Sequence, residues 1–230
     1  MNFSELVDKV CNEVNRPDMT FTQDGGSGEA VNAVLSSTVT LHTREFYWRD
    51  IATLQAKFDY AAYIQSLDLS VFPRFRRMSY VRKWDPSMQA FQSDPSVTPP
   101  ANWPAGLNFL AQVTPDNVMD TYGYEKTDIW YAAGNSLYIK SSTLLNYALL
   151  GYYALPRLIA GSDNRYSVFD SWIATTYPWA IIYHAASKLF AQIGQQDTSR
   201  KYDSPAGRND DGGLVQQQIK IIDANNITAG

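Results

Sequence analysis

The chain has 230 residues, 45% of them hydrophobic and 18% charged, with a formal net charge of −4 and a pI of about 5.1. That length buries a real core, the composition excludes a disordered chain, and the mild acidity argues against a protein whose main task is gripping phosphates. A single cysteine, Cys11, excludes an internal disulfide and fits cytosolic assembly; no run approaches the roughly 20 apolar residues of a membrane span, and the start Met1-Asn2-Phe3-Ser4-Glu5 lacks the features of a signal peptide.

Phe3, Leu6, Val7, Val10 and Val14 recur at helical spacing, so a first helix is expected. Asn2 and Glu5 form a capping box at its start, and Asn15-Arg16-Pro17 stops it. The Gly-rich run Asp24 to Gly28 leads into a second helix with the stripe Val31, Val34 and Leu35. The β-branched Thr38, Val39 and Thr40 weaken that helix, which then depends on packing against the first.

From about Asp59 the period becomes alternating. Tyr63 to Leu69 and Met78 to Arg82 read as strands. Asp85 to Gly106 carries five prolines and reads as a long surface loop. Ile129 to Lys140 predicts a hairpin turning at Gly134-Asn135, and Leu144 to Tyr153 a further strand ended by Pro156. A helix is expected from Pro178, with Ile182, Ala185, Ala186, Leu189 and Ile193 on its apolar face and Gly194 beyond its end. Thr198 to Tyr202 adds a short helix. Ser204 to Gly213 has the composition of a linker. The last segment, Leu214 to Ile222, fits either a helix or a strand that finds an open sheet edge. The resulting expectation is an α+β chain: mainly an α-helical bundle (1–57 and 161–205), an inserted antiparallel β-module (58–160), and a linker with an extended C-terminal docking tail (206–230).

Motifs that carry chemistry are sparse. His42 and His184 have no partner at the spacing of zinc ligands on a helix, so both read as core or surface histidines. Cys11 beside the apolar stripe reads as a small buried hydrophobe. The Asp24–Gly28 loop lacks the Lys-Ser/Thr of a phosphate-binding loop and reads as a connector. Asp116, Asp120, Glu125 and Asp128 lie near Tyr122 and Trp130. A hydrolase of cell-wall sugars needs two such acids across an aromatic cleft, whereas the simpler reading is solvated loop acids. Trp84, Trp103 and Trp130 offer a second alternative, a carbohydrate-binding or fibre-attachment module. Arg74, Arg76, Arg77, Arg82 and Lys83, interleaved with Phe75 and Tyr80, fit a nucleic-acid face or, equally, a protected sheet edge. No catalytic, metal or cofactor residue is assigned, and a non-enzymatic role is expected.

Several features occur in one order: the first helix ending at Asn15-Arg16-Pro17, Phe46-Tyr47-Trp48-Arg49-Asp50, Phe72-Pro73-Arg74-Phe75-Arg76, Gly151-Tyr152-Tyr153 before Pro156, and Tyr177-Pro178 opening an alanine-bearing helix. In that order the chain resembles the head-to-tail adaptor proteins of short-tailed bacteriophages, from Phe3 to about Ile227. The resemblance implies a virion protein at the head–tail junction, assembled in the host cytoplasm as a dodecameric ring. Its partners would be the portal protein, the tail nozzle protein and tail fibres, with packaged DNA passing through without sequence specificity. It also implies a C-terminal segment that docks on the portal, for which Leu214, Val215, Ile219, Ile221, Ile222 and Ile227 supply the apolar surface. Tyrosine and arginine favour interfaces, so Arg74, Arg76, Tyr80, Tyr122 and Tyr124 are the expected subunit contacts.

Overall fold

The computed structural model describes residues 1–19, 28–83, 109–120, 122–160, 166–206 and 214–225. The chain divides into two compact units: Met1–Asp50 together with Leu155–Gly230, and Ile51–Ala154. Helix α1 (Phe3–Val14) starts where its capping box places it: the Glu5 amide donates to Asn2 Oδ1 at 2.8 Å and the Asn2 amide to Glu5 Oε2 at 3.0 Å. It ends at Asn15, whose φ of 55° is the left-handed conformation that asparagine tolerates. Helix α2 (Glu29–Arg44) keeps its threonines, and the Thr38 hydroxyl donates to the Val34 carbonyl at 2.8 Å. A 3-10 turn, Trp48–Asp50, then closes this part of the unit.

The sheet unit is built from β1 (Ile51–Asp68), β2 (Phe75–Lys83), β3 (Ala111–Gln112), β4 (Ile129–Ala133) and β5 (Ser136–Ala154). β5, 19 residues long, is its spine. β1 lies antiparallel along one edge of β5, while β4 takes the first half of the other edge and β2 the second half. Asp68 pairs with Ser136, and Phe75 pairs with Ala154. The chain from 68 to 75 can reach at most about 25 Å, yet a straight β5 would hold those ends about 60 Å apart. β5 must therefore fold back on itself.

The fold-back is visible in the register. From Lys57 to Ala62 the partner moves only from Tyr147 to Leu145, and from Ala62 to Ile64 it moves from Leu145 to Lys140. β1 thus bulges first and β5 bulges next, which makes a corner. Gln65 staples it, its Nε2 donating to the carbonyls of Tyr60 and Leu145 at 2.7 and 2.9 Å. On the β5 side, the Asp128 carboxylate accepts from the Ser142 amide and hydroxyl at 2.8 and 2.7 Å and pairs with Lys83 at 2.6 Å. The sheet then closes through the segment after Phe109. The Leu110 amide donates to the Val81 carbonyl at 2.9 Å, and β3 runs parallel to β4. Val81, Leu110, Trp130, Leu137, Ile139 and Leu150 fill the interior.

The chain returns to the first unit through a hairpin of β6 (Arg157–Ala160) and β7 (Tyr166–Asp170). Helices α3 (Trp172–Thr176), α4 (Pro178–Gln192), α5 (Gln196–Ala206) and α6 (Leu214–Asn225) follow. α4 is buried along Ile181, Ile182, Ala185, Ala186 and Leu189, as its alanine-bearing stripe requires.

Three parts of the sequence expectation are corrected. The chain is α+β but not mainly a helical bundle, because the sheet strands are longer and start earlier than the alternating pattern showed. The inserted module is a mixed sheet, since β3 and β4 are parallel. The C-terminal segment is no extended tail: α6 places Ile219, 0% exposed, in the core of its own unit.

Two expectations follow. Ile219→Ala removes a fully enclosed side chain and lowers stability by about 2–5 kcal/mol in urea unfolding; an unchanged midpoint shows that α6 does not pack as described. Burial raises the Asp128 pKa, but Lys83 and Ser142 outweigh it and hold the carboxyl below its ordinary value. A depressed folded pKa means stability present above the unfolded value of about 3.9 and lost as pH falls through the folded one. Amide protection around the corner therefore declines on acidification below about pH 4, and Asp128→Asn flattens that decline. An equally steep decline in the variant contradicts it.

Candidate interaction site

The segment between β3 and β4 folds into a braced tip. Val118 and Lys126 close its base, the Lys126 amide donating to the Val118 carbonyl at 2.9 Å, and Met119 bridges Glu125. Asp120 organises the turn: its Oδ1 accepts from the amides of Tyr122 and Tyr124 at 2.9 and 2.8 Å, and its own amide donates to the Tyr124 carbonyl at 2.7 Å. Gly123, with φ of +82°, supplies the left-handed step such a turn needs. Glu125 pairs with Lys140 of β5, fixing the tip to the sheet. The result is two outward tyrosines, Tyr122 at 86% and Tyr124 at 73% exposure, whose amides are held by the Asp120 carboxylate. Rigid tyrosines offer large contact area at low entropy cost.

A second surface lies at the corner of β1 and β5. A groove of about 320 Å³ opens there, lined among others by Lys57, Asp59, Tyr60, Ile64, Ser66 and Tyr138. Tyr60, Tyr63, Ile64 and Leu144 are exposed around the same corner.

The sequence-predicted contact residues divide between these surfaces and the sheet's own packing. Tyr122 and Tyr124 stand on the tip. Tyr80 is half-buried and lies over its cross-strand partner Gly151, where a Cβ would overlap its ring. It also meets Phe109 edge-on at 5.8 Å, and the Arg82 guanidinium lies 3.7 Å above the Phe109 ring. Tyr80 is thus held by its own sheet, a role its strand position did not reveal. Arg74 precedes β2 with φ of 57° and is exposed, and Arg76 is half-buried on β2. Burial lowers the Arg82 pKa, consistent with a half-buried cation resting on the Tyr80 and Phe109 rings.

The C-terminal set is scattered. Ile219 is in the core, Ile221 is exposed and Ile222 half-buried. Leu214 and Val215 lie on the first turn of α6, their side chains undescribed, and Ile227 lies outside the described residues. Two links tie α6 down: the Asp223 carboxylate accepts the amides of Trp48 and Arg49 at 2.9 and 3.1 Å, and Lys220 pairs with Glu45 at 2.7 Å.

Both histidines are buried in hydrogen-bonded networks that the sequence did not disclose. His42 Nδ1 is 2.8 Å from Asp50 Oδ1, and its Nε2 is 2.9 Å from Ser171 Oγ. This has the order of an acid–histidine–serine relay. Ser171 is only 4% exposed, however, and its Oγ also caps α3 by accepting the Ala174 amide at 3.2 Å. Trp172 Nε1 donates to the same Asp50 oxygen at 2.8 Å. The network therefore ties α2, the 3-10 turn and α3 together. His184 Nδ1 meets Ser37 Oγ at 2.9 Å, and its Nε2 faces Arg44 at 3.4 Å.

Three of the four acids considered for sugar hydrolysis are engaged elsewhere, Asp120 in the turn, Glu125 with Lys140 and Asp128 with Lys83, while Asp116 lies in the 3-10 turn Pro115–Asn117. Trp130 is buried in the sheet interior and offers no stacking platform, while Trp84, Trp103 and the loops 24–27 and 85–106 lie outside the described residues. Among the described residues no cluster of three metal-ligating side chains occurs, and no helix is long and apolar enough to cross a membrane. No protein-family model matches the chain, and no curated protein matches it in sequence.

Asp120→Ala should loosen the tip without unfolding the sheet. Amide exchange at Tyr122 and Tyr124 is expected to rise more than about tenfold, with global stability changed by less than about 1 kcal/mol, as for an exposed hydrogen-bond acceptor. Unchanged exchange at both amides shows that the carboxylate does not organise the turn.

Proposed function

We propose that this chain is a structural subunit that assembles with copies of itself into a ring, as an adaptor between the portal and the tail of a short-tailed bacteriophage. The observation that carries this reading is the tip, where Asp120 presents Tyr122 and Tyr124 on ordered backbone to contact protein. The adaptor-like order of segments from Phe3 to Tyr177-Pro178 supports it, and so do the exposed aromatics at the corner of β1. Contiguous exposed apolar surface on a folded chain marks interaction sites.

Portal docking differs from the expectation of a free tail. With Ile219 committed to its own core, the face of α6 carrying Ile221 is what remains for a portal to engage, and Lys220 and Asp223 hold that helix in place. Bringing several copies together multiplies a weak contact of this kind through avidity.

Sedimentation of the purified chain, alone and with the portal protein of the phage that encodes it, tests the reading. The expected result is a joint species containing many copies of the chain for each portal ring. A chain that stays monomeric at every concentration and never co-sediments with the portal overturns it.

A further inference from the structure

We infer that neighbouring copies join head to tail, the Tyr122/Tyr124 tip of one copy seating in the β1 corner groove of the next. This rests on the ring-forming reading and names the contact that would build the ring. The two surfaces sit on the same rigid sheet but at different places in the strand order β1-β5-β4-β3. The groove lies on β1, the edge strand at one end, and the tip follows β3, the edge strand at the other. A contact between two different patches of the same subunit is heterologous, and its repetition generates rings or filaments.

Among the described residues the groove is open space, and both tip tyrosines are exposed rather than packed on their own sheet. A second copy offers an occupant of matching chemistry, an exposed tyrosine on a braced turn. At about 320 Å³ the groove is at the lower end of the roughly 300–1,000 Å³ range of small-ligand sites, which suits an aromatic side chain better than an extended ligand. Its lining matches a phenol. Ile64, Tyr60 and Tyr138 offer apolar and ring surface, and Lys57 and Asp59 offer a donor and an acceptor for the hydroxyl. Interfaces concentrate their energy in such anchors, and a buried tyrosine ranks among the strongest. Both partners are pre-ordered, the tip by Asp120 and Glu125 and the groove by Gln65, so little is lost to ordering on contact.

Complementation of two variants tests the contact. Tyr122→Ser/Tyr124→Ser removes the knob and leaves the groove; Ser66→Trp fills the groove and leaves the knob. Each variant is first shown to keep the wild-type circular dichroism and cooperative melt, and Ile64→Arg replaces Ser66→Trp if that one fails to fold. Each alone is expected to weaken self-association on the order of 30-fold or more, the consequence of losing one strong anchor. Mixed one to one, they retain a single intact knob-and-groove pair and should stop at a dimer in analytical ultracentrifugation. If the wild type assembles and both variants assemble equally well, the contact is wrong while the ring reading stands. If only the knob variant fails, the tips meet one another and the head-to-tail arrangement is overturned. A wild type that never assembles, with or without portal, removes the ring reading and this contact with it.

Discussion

The link between β1 and β2 is too short for a straight β5, and the architecture of the sheet unit follows from that limit. Asp68 and Phe75 each stay paired to an opposite end of β5, so the spine has to fold. Folding it brings β4 and β2, which share one edge of the strand, around a common interior that the Leu110–Val81 bond then closes. The bulges that permit the turn push residues outward on β1, and the groove is their by-product. The tip is tied to the same spine by Glu125 and Lys140. The bend of the spine and the exposed surface around it therefore have one origin.

The helical unit solves a different problem, how to bury polar groups with most of them paired; the Tyr47 hydroxyl is a buried exception among the described residues. A lone buried donor or acceptor costs about 1–3 kcal/mol. His42 is buried with Asp50 on one nitrogen and Ser171 on the other, and the same two residues satisfy Trp172 and the start of α3. Residues far apart in sequence are thereby fixed to one another. Asp223 does similar work at the C-terminus, where its carboxylate accepts the amides of Trp48 and Arg49. An aspartate at that position turns a segment that reads as a tail into a helix of the core.

Local signals were legible and distant ones were not. The α1 capping box, the Gly134-Asn135 turn and the apolar face of α4 depend on residues a few positions apart, and the sequence displays them directly. In sequence β5 reads as two strands because Ser141-Ser142-Thr143 interrupts its apolar pattern, and those residues lie at the corner. In the sequence reading the sheet module starts at 58 and 51–57 stay with the helical part, whereas β1 begins at Ile51 with Thr53, Gln55 and Lys57 on its exposed face. The β6–β7 hairpin is missing from the sequence reading although Gly161-Ser162-Asp163-Asn164 between its strands is a turn-residue cluster; its strands are only four and five residues long. Tyr122 and Tyr124 were picked out by residue type, but the role of Asp120 in ordering them needed the hydrogen bonds. Ile219 reads as part of a docking segment because helical periodicity does not tell an own core from a foreign one, whereas it packs in the core of its own unit.

The fold-back of β5 is the claim on which the groove and tip both rest, and an interspin distance reads it directly. Nitroxide labels at positions 136 and 153, in full-length protein with the buried Cys11 replaced by alanine, report the separation of the strand's ends by double electron–electron resonance. A folded β5 keeps them within about 40 Å, the reach of the 68–75 link plus strand spacings and label arms. A distribution centred near 55–60 Å, the length of a straight strand, contradicts the account.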